Sequence, residues 1–211
     1  MSQSGGWEVE INRQIQLFDK QAKRYAKPLN QNSFNYRLRK KLLQSANGDI
    51  LELSVGAGTN FQFYSKDAKI TAVDFSPIMI ERARIRAAQE TLDVVFLKAN
   101  VEEAELEDNR FDTVISTLSL CSYPNPEKVL ARMVHWVKPD GQILLMEHGL
   151  STNPVFAWLQ NKANPFLLKR LGCHQNRDIL KLVGASSLRI NKIESFWLNS
   201  VHLIWASPRN K

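Results

Sequence analysis

The usual ligands of structural metals are scarce in this sequence: 211 residues include two cysteines and four histidines. Cys121 and Cys173 have no paired spacing, and His135, His148, His174 and His202 are scattered, with no two of them three or four apart on a helix. No metal site is predicted, and both thiols are expected to be reduced. Long apolar runs are missing too. Nothing approaches the roughly 20 residues of a membrane span, and Met1 to Gly6 lacks the charged start and apolar stretch of a signal peptide. The expectation is a soluble, cytoplasmic protein. No composition break marks a second globular unit, and 44% hydrophobic content can fill one α/β core. An aromatic-basic nucleic-acid signature is also absent, so no nucleic-acid acceptor is expected.

What is present begins with Ile50-Leu-Glu-Leu-Ser-Val-Gly-Ala-Gly-Thr-Asn60. Ile50 to Val55 is too short for a buried helix and too apolar for a loop, so it reads as a central parallel strand. Gly56 and Gly58 then let the backbone turn sharply and approach a ligand without a Cβ in the way. A second strand, Lys69 to Val73, ends in Asp74, 22 positions after Glu52. That spacing suits a nucleoside lying across two neighbouring strand ends, with Asp74 accepting from the ribose diol.

The turn departs from the dinucleotide fingerprint. Ser54 stands where a first glycine is expected, and no third glycine follows at the usual interval. A pyrophosphate fits such a turn poorly. A nucleoside joined to an amino acid needs only a close backbone approach and a carboxylate, such as Glu52, near its ammonium group. S-adenosylmethionine is that cofactor.

The remaining pattern alternates. Pro77 to Gln89 reads as a helix, Val94 to Lys98 and Thr113 to Thr117 as strands, Pro126 to Trp136 as a helix and Gln142 to Glu147 as a fifth strand. Such alternation implies a parallel sheet covered on both faces. Leu188 to Trp197 and Val201 to Ser207 are too close together for a crossover helix and read as an antiparallel hairpin.

Leu51-Glu-Leu-Ser-Val-Gly-Ala-Gly58, Val73-Asp-Phe-Ser-Pro-Ile-Met-Ile-Glu-Arg-Ala-Arg84, Phe111-Asp-Thr-Val-Ile-Ser116 and Val137-Lys-Pro-Asp-Gly-Gln-Ile-Leu-Leu-Met146 resemble, in order, the signature blocks of class I S-adenosylmethionine-dependent methyltransferases. The resemblance covers about residues 48 to 205. It implies a Rossmann-like, seven-stranded, mostly parallel sheet closed by the hairpin. It gives Glu52, Gly56 and Gly58 the methionine moiety, Asp74 the ribose, and Phe75 and Met79 the adenine faces. Asn100, beside Val101, takes the place of an acidic residue at the adenine amino group, where its side-chain oxygen can still accept. Ser54 and Thr117 complete the expected cofactor contacts. Thr117-Leu-Ser-Leu-Cys-Ser122, Met146-Glu-His-Gly149 and Gly172-Cys-His-Gln-Asn-Arg177 are similar to blocks of the small methyltransferase-like enzymes whose animal members methylate thiols.

Chemistry belongs at the carboxyl ends of the strands. His148 is the best proton acceptor there, because an imidazole titrates near neutrality; holding a loop carbonyl is its competing role. Cys121 reads as a small buried hydrophobe. Ahead of the first strand, Trp7, Ile11, Ile15, Phe18, Ala22 and Tyr25 share one helical face. Residues 1–47 are therefore expected as a helical extension, a lid by resemblance, before a domain at 48–211. Nine basic against four acidic residues up to Asp49 make the extension a solvated surface or a peripheral membrane contact. An apolar insert at about 149–177 is expected to roof a small, lipophilic acceptor. The favoured reading is methyl transfer to a thiol. The alternatives are C-methylation of a quinone precursor, N-methylation of a phospholipid headgroup, or a non-catalytic cofactor-binding module. No protein partner is identifiable.

Overall fold

The computed structural model describes residues 4–209, with side chains from residue 11. Helices α1 (Ser4–Tyr25) and α2 (Phe34–Leu43) precede β1 (Asp49–Leu53), β2 (Lys69–Asp74), α3 (Pro77–Glu90), β3 (Asp93–Lys98) and β4 (Phe111–Thr117). Then follow α4 (Pro126–Trp136), β5 (Val137–His148), α5 (Pro154–Leu171), α6 (Ile179–Gly184), β6 (Leu188–Phe196) and β7 (Val201–Pro208). One seven-stranded sheet has the order β3-β2-β1-β4-β5-β7-β6. Strands β3 to β5 run parallel, and β7 is antiparallel to both β5 and β6. The expected Rossmann-like sheet with its closing hairpin is the observed one.

The order reverses at β1, which lies between β2 and β4, and this opens a crevice at the carboxyl edge of the sheet. Both faces of the central strands are covered. Leu51, Leu53, Val114 and Leu145 pack on one side with the α4 stripe of Val129, Leu130, Met133 and Trp136. Ile50, Ile70, Ile115 and Leu144 pack on the other with Leu38, Leu42 and Leu43 of α2. Helix α3 starts where Ser76 Oγ accepts from Met79 N at 3.0 Å, with Pro77 in the first turn.

Three boundaries differ from the sequence reading. Strand β1 stops at Leu53, because Ser54 turns into the left-handed region at φ +48°. Strand β5 begins directly after α4, so it includes Val137-Lys-Pro-Asp-Gly141 ahead of the apolar run. The extension is also not one unit. Leu42 and Leu43 are fully buried in the main core, so α2 belongs to the domain, and only α1 is peripheral. Trp7 of the expected stripe falls outside the residues whose side chains are described.

Candidate functional site

Four neighbouring strand ends carry the residues singled out by sequence: Asp74 ends β2, Ser54 follows β1, Thr117 ends β4 and His148 ends β5. With adjacent strands about 4.8 Å apart, this row extends roughly 14 Å. A cavity of about 270 Å³ lies along it, lined by Ser54, Gly56, Asp74, Phe75, Met79, Thr117 and His148 of the expected set. Gly56 has φ +55°, and a Cβ added there would meet nothing within 4 Å. The turn thus leaves open space over a backbone that only glycine adopts freely.

Asp74 is buried, and both its oxygens are engaged: Gly56 N donates to Oδ2 at 2.8 Å and Ser76 N to Oδ1 at 2.9 Å. Burial outweighs these bonds and pushes the carboxyl up to about 6. Ser54 holds its left-handed backbone with its hydroxyl 2.7 Å from the Tyr123 hydroxyl. Leu118, after β4, has φ +57°. Two left-handed non-glycine residues on the cavity wall cost about 1–2 kcal/mol each, a strain that functional sites commonly store.

Glu52, Gly58, Asn100 and Val101 are not among the residues that line the cavity. Glu52 is 2% exposed. It accepts from Asn60 Nδ2 and Tyr64 Oη, each at 2.8 Å, and burial lifts its pKa to about 7. It supports the wall from behind. Gly58 serves packing, since a Cβ there would stand 2.8 Å from the Phe61 ring. Asn100 Oδ1 accepts from Glu102 N at 3.1 Å, and Val101 is buried in the core.

A cation that the sequence reading left in a basic run stands in the wall instead. Arg39 of α2 is 7% exposed and lines the cavity. Its Nε donates to Asn35 Oδ1 at 2.7 Å, and its Nη1 donates to Asn60 Oδ1 at 2.5 Å and to Thr117 Oγ1 at 2.8 Å. Asn60 therefore links Arg39 to Glu52, a buried cation and carboxyl joined through one amide. Burial holds the guanidinium below its ordinary range.

At the other end the fold assembles what sequence spacing hides. The ligand-capable atoms of Cys121, His148 and Cys173 lie within 4.8 Å of one another. Cys121 and Cys173, which have no paired spacing in the sequence, are brought together by the segment after α5. His174 N donates to the Cys121 carbonyl at 2.8 Å, and Arg177 Nη1 donates to the carbonyls of Tyr123, at 2.9 Å, and Leu120. These bonds clamp residues 172–177 onto the loop after β4. Cys121 is not merely a small hydrophobe: hydrogen bonding to Cys173 and burial raise it, and Cys173 is lowered by the same bond and by one to His148. Gln175 Nε2 also donates to Cys173 Sγ at 3.0 Å. Two cysteine sulfurs and one imidazole at this separation are a donor set of the kind that holds zinc with a fourth position open.

Glu147 sets the height of this corner. Ser116 Oγ donates to its Oε1 at 2.6 Å, while Ser119 N and Leu120 N donate to Oε2 at 3.0 and 3.2 Å. Above the cavity, Phe18 of α1 meets Phe75 edge-on at 5.7 Å, and Tyr25 also lines the wall. Polar contacts fasten α1: Ser76 Oγ donates to Asp19 Oδ1, and Arg86 Nη2 to the Ala26 carbonyl at 3.3 Å. From the segment 149–177, Leu171, Cys173 and Gln175 line the cavity, whereas Trp158 and Phe166 of α5 are exposed.

A methyltransferase domain model matches residues 50–141, the stretch that contains the glycine turn, Asp74 and Thr117. Over these residues the chain carries a methyltransferase domain. Its sequence is 31% identical to thiol S-methyltransferase TMT1B of Rattus norvegicus over 75% of this chain and 63% of that protein. It is 29% identical to phosphatidylethanolamine N-methyltransferase of Cereibacter sphaeroides over 68% and 71%. The chain spans less than two thirds of the length of the first curated relatives it matches. Among solved structures, an S-adenosylmethionine-dependent methyltransferase from Mesorhizobium loti superposes with a TM-score of 0.64 at 16% identity, covering 83% of this chain and 98% of that one. S-adenosylmethionine is the cofactor named for that structure, and the open glycine turn beside a buried carboxylate fits it. Among the described residues, no helix is long and apolar enough to cross a membrane.

Proposed function

We propose that this protein transfers a methyl group from S-adenosylmethionine to the sulfur of a small, lipophilic thiol. The observation that carries this reading is the Cys121–His148–Cys173 corner, which shares one cavity with Asp74 and the glycine turn. The donor, when bound, supplies a methyl carbon already activated by a positive sulfur. The protein's own residues hold, align, dry and deprotonate. Asp74 holds the ribose, Phe75 and Met79 the adenine, and Arg39 the α-carboxylate.

The acceptor lies against His148, with Leu118 and Leu171 as its apolar walls. A thiol has a pKa of about 8.5, so it is mostly protonated at neutral pH, and His148 takes that proton. The lining favours sulfur over a phospholipid headgroup. Among the described residues, Arg39 and Asp74 are its only Arg, Lys, Asp or Glu side chains. With Arg39 on the α-carboxylate and Asp74 on the ribose, no further cation faces a phosphate and no further carboxylate an ammonium. The test is turnover with S-adenosylmethionine and a panel of alkyl thiols, amines and phenols. A thioether product is expected; methylated amine or phenol with no thioether overturns the thiol reading, and absence of any product returns the protein to the class of cofactor-binding modules.

A further inference from the structure

Helix α5 contributes no buried residue to the core. Val155, Trp158, Leu159 and Phe166 are 69, 58, 49 and 62% exposed. Val155, Leu159, Lys162, Phe166 and Lys169 recur at steps of four, three, four and three, so they share one helical face, which Trp158 and Arg170 flank. A second apolar tip stands beside it. Trp197 and Leu198, in the β6–β7 turn, are 66 and 59% exposed. Asn199 Nδ2 donates to Thr152 Oγ1 at 2.9 Å and Ser151 Oγ to the Leu198 carbonyl, which ties the tip to the entrance of α5. Large rings gathered at two adjoining sites, instead of scattered singly, mark a contact surface.

The charge pattern names the occupant. Between Glu147 and Asp178 there is no acidic residue, while Lys162, Lys169, Arg170 and Arg177 are basic; residues 195–209 likewise contain no acid. A second copy docked through this same face would bring cations against cations with no carboxylate to pair them. Tryptophan and phenylalanine interspersed with lysine and arginine are instead the composition of a helix lying in a lipid headgroup layer. We infer that the exposed face of α5 and the Trp197–Leu198 tip form a docking surface for an anionic phospholipid bilayer. The basic face of α1 is a separate matter, because Phe18 of α1 turns onto Phe75 and the cavity. Leu171, in the last turn of α5, lines the cavity, so the same helix runs from the lipid surface to the acceptor end. This inference stands whether or not the acceptor is a thiol.

The experiment uses the full chain with phosphatidylcholine vesicles, with and without phosphatidylglycerol, in a sedimentation assay. Binding to the anionic vesicles is expected, with tryptophan fluorescence quenched when the lipid chains are brominated near the headgroup. The double substitution Trp158→Ser/Phe166→Ser should weaken vesicle binding on the order of 100-fold, since each buried ring is worth roughly 10-fold or more. Lys162→Gln/Lys169→Gln/Arg170→Gln should remove most of the preference for the anionic vesicles, at about 5-fold per charge. Thermal melting checks that these exposed changes leave the fold intact, and quenching of the unmodified protein needs no variant. Absence of vesicle binding overturns the inference. So does binding that survives Trp158→Ser/Phe166→Ser but is lost on neutralising Lys20, Lys23 and Lys27, and so does a dimer in sedimentation velocity that Phe166→Ser dissociates.

Discussion

Gly56 donates its backbone N–H to Asp74 Oδ2 at 2.8 Å, so the carboxylate that ends β2 also fixes the glycine turn that ends β1. Asp74 is both a support of the wall and a candidate ligand. A substitution there has two separable effects.

Asp74→Asn should weaken S-adenosylmethionine binding by about 1.5–3 kcal/mol, the range for hydrogen bonds to a charged group. Burial raises Asp74 to about 6, so below that pH the carboxyl must lose a proton before it accepts fully from a ribose diol. Affinity should therefore rise as pH climbs through about 6 and level off above it, falling up to tenfold per unit on the acid side. Calorimetric titration of both proteins from about pH 5 to 8 measures this. A flat profile in the unmodified protein takes Asp74 out of the binding reaction.

Removal of residues 1–27 deletes α1 and leaves α2 and every strand in place. The truncated protein should fold and bind cofactor with a loss of about tenfold or less, while turnover falls much further because Phe18 and Tyr25 no longer close the cavity. Circular dichroism, calorimetry and rate measurements separate the possibilities. Full activity would make α1 ornamental, and an insoluble product would make it core.

Glu52 tests the network behind the wall. Its folded pKa is raised from 4.5 to about 7 by burial, so between those values the native state binds more protons than the unfolded chain, and stability falls as pH rises. The contribution is on the order of 3 kcal/mol. Glu52→Gln should flatten that slope in urea melts between about pH 4.5 and 7, with Tyr64 turning its hydroxyl to accept from the new amide. Glu147, raised to about 7 in the same way, leaves a residual slope. An unchanged slope means that Glu52 is ionised in the native state throughout.

The parts legible in sequence were those encoded over short range. An apolar run, a glycine turn and Asp74 lie within 25 residues, and strand-helix alternation dictates a parallel sheet. Arg39 was illegible because Arg37-Leu-Arg-Lys-Lys41 offers several cations, and only tertiary packing decides that Arg39 turns inward while Arg37, Lys40 and Lys41 stay exposed. The thiol-imidazole corner was illegible for a different reason. Cys121, His148 and Cys173 come from three separate segments, joined by backbone bonds such as His174 N to the Cys121 carbonyl. Asn100 and Glu52 show the converse: a motif position predicts a cofactor contact, whereas these side chains accept from Glu102 N, Asn60 and Tyr64 and stand outside the cavity lining.

The most direct measurement is the rate of thioether formation by the unmodified protein and by His148→Gln, at neutral pH and at about pH 9.5, with cofactor affinity measured alongside. If His148 takes the acceptor's proton, the substitution should leave affinity unchanged and lower the neutral rate by about 100-fold or more. Much of that loss should return at alkaline pH, where a thiol of pKa about 8.5 ionises unaided. A variant equally slow at both pH values, or one as fast as the unmodified protein at neutral pH, would contradict proton removal by His148.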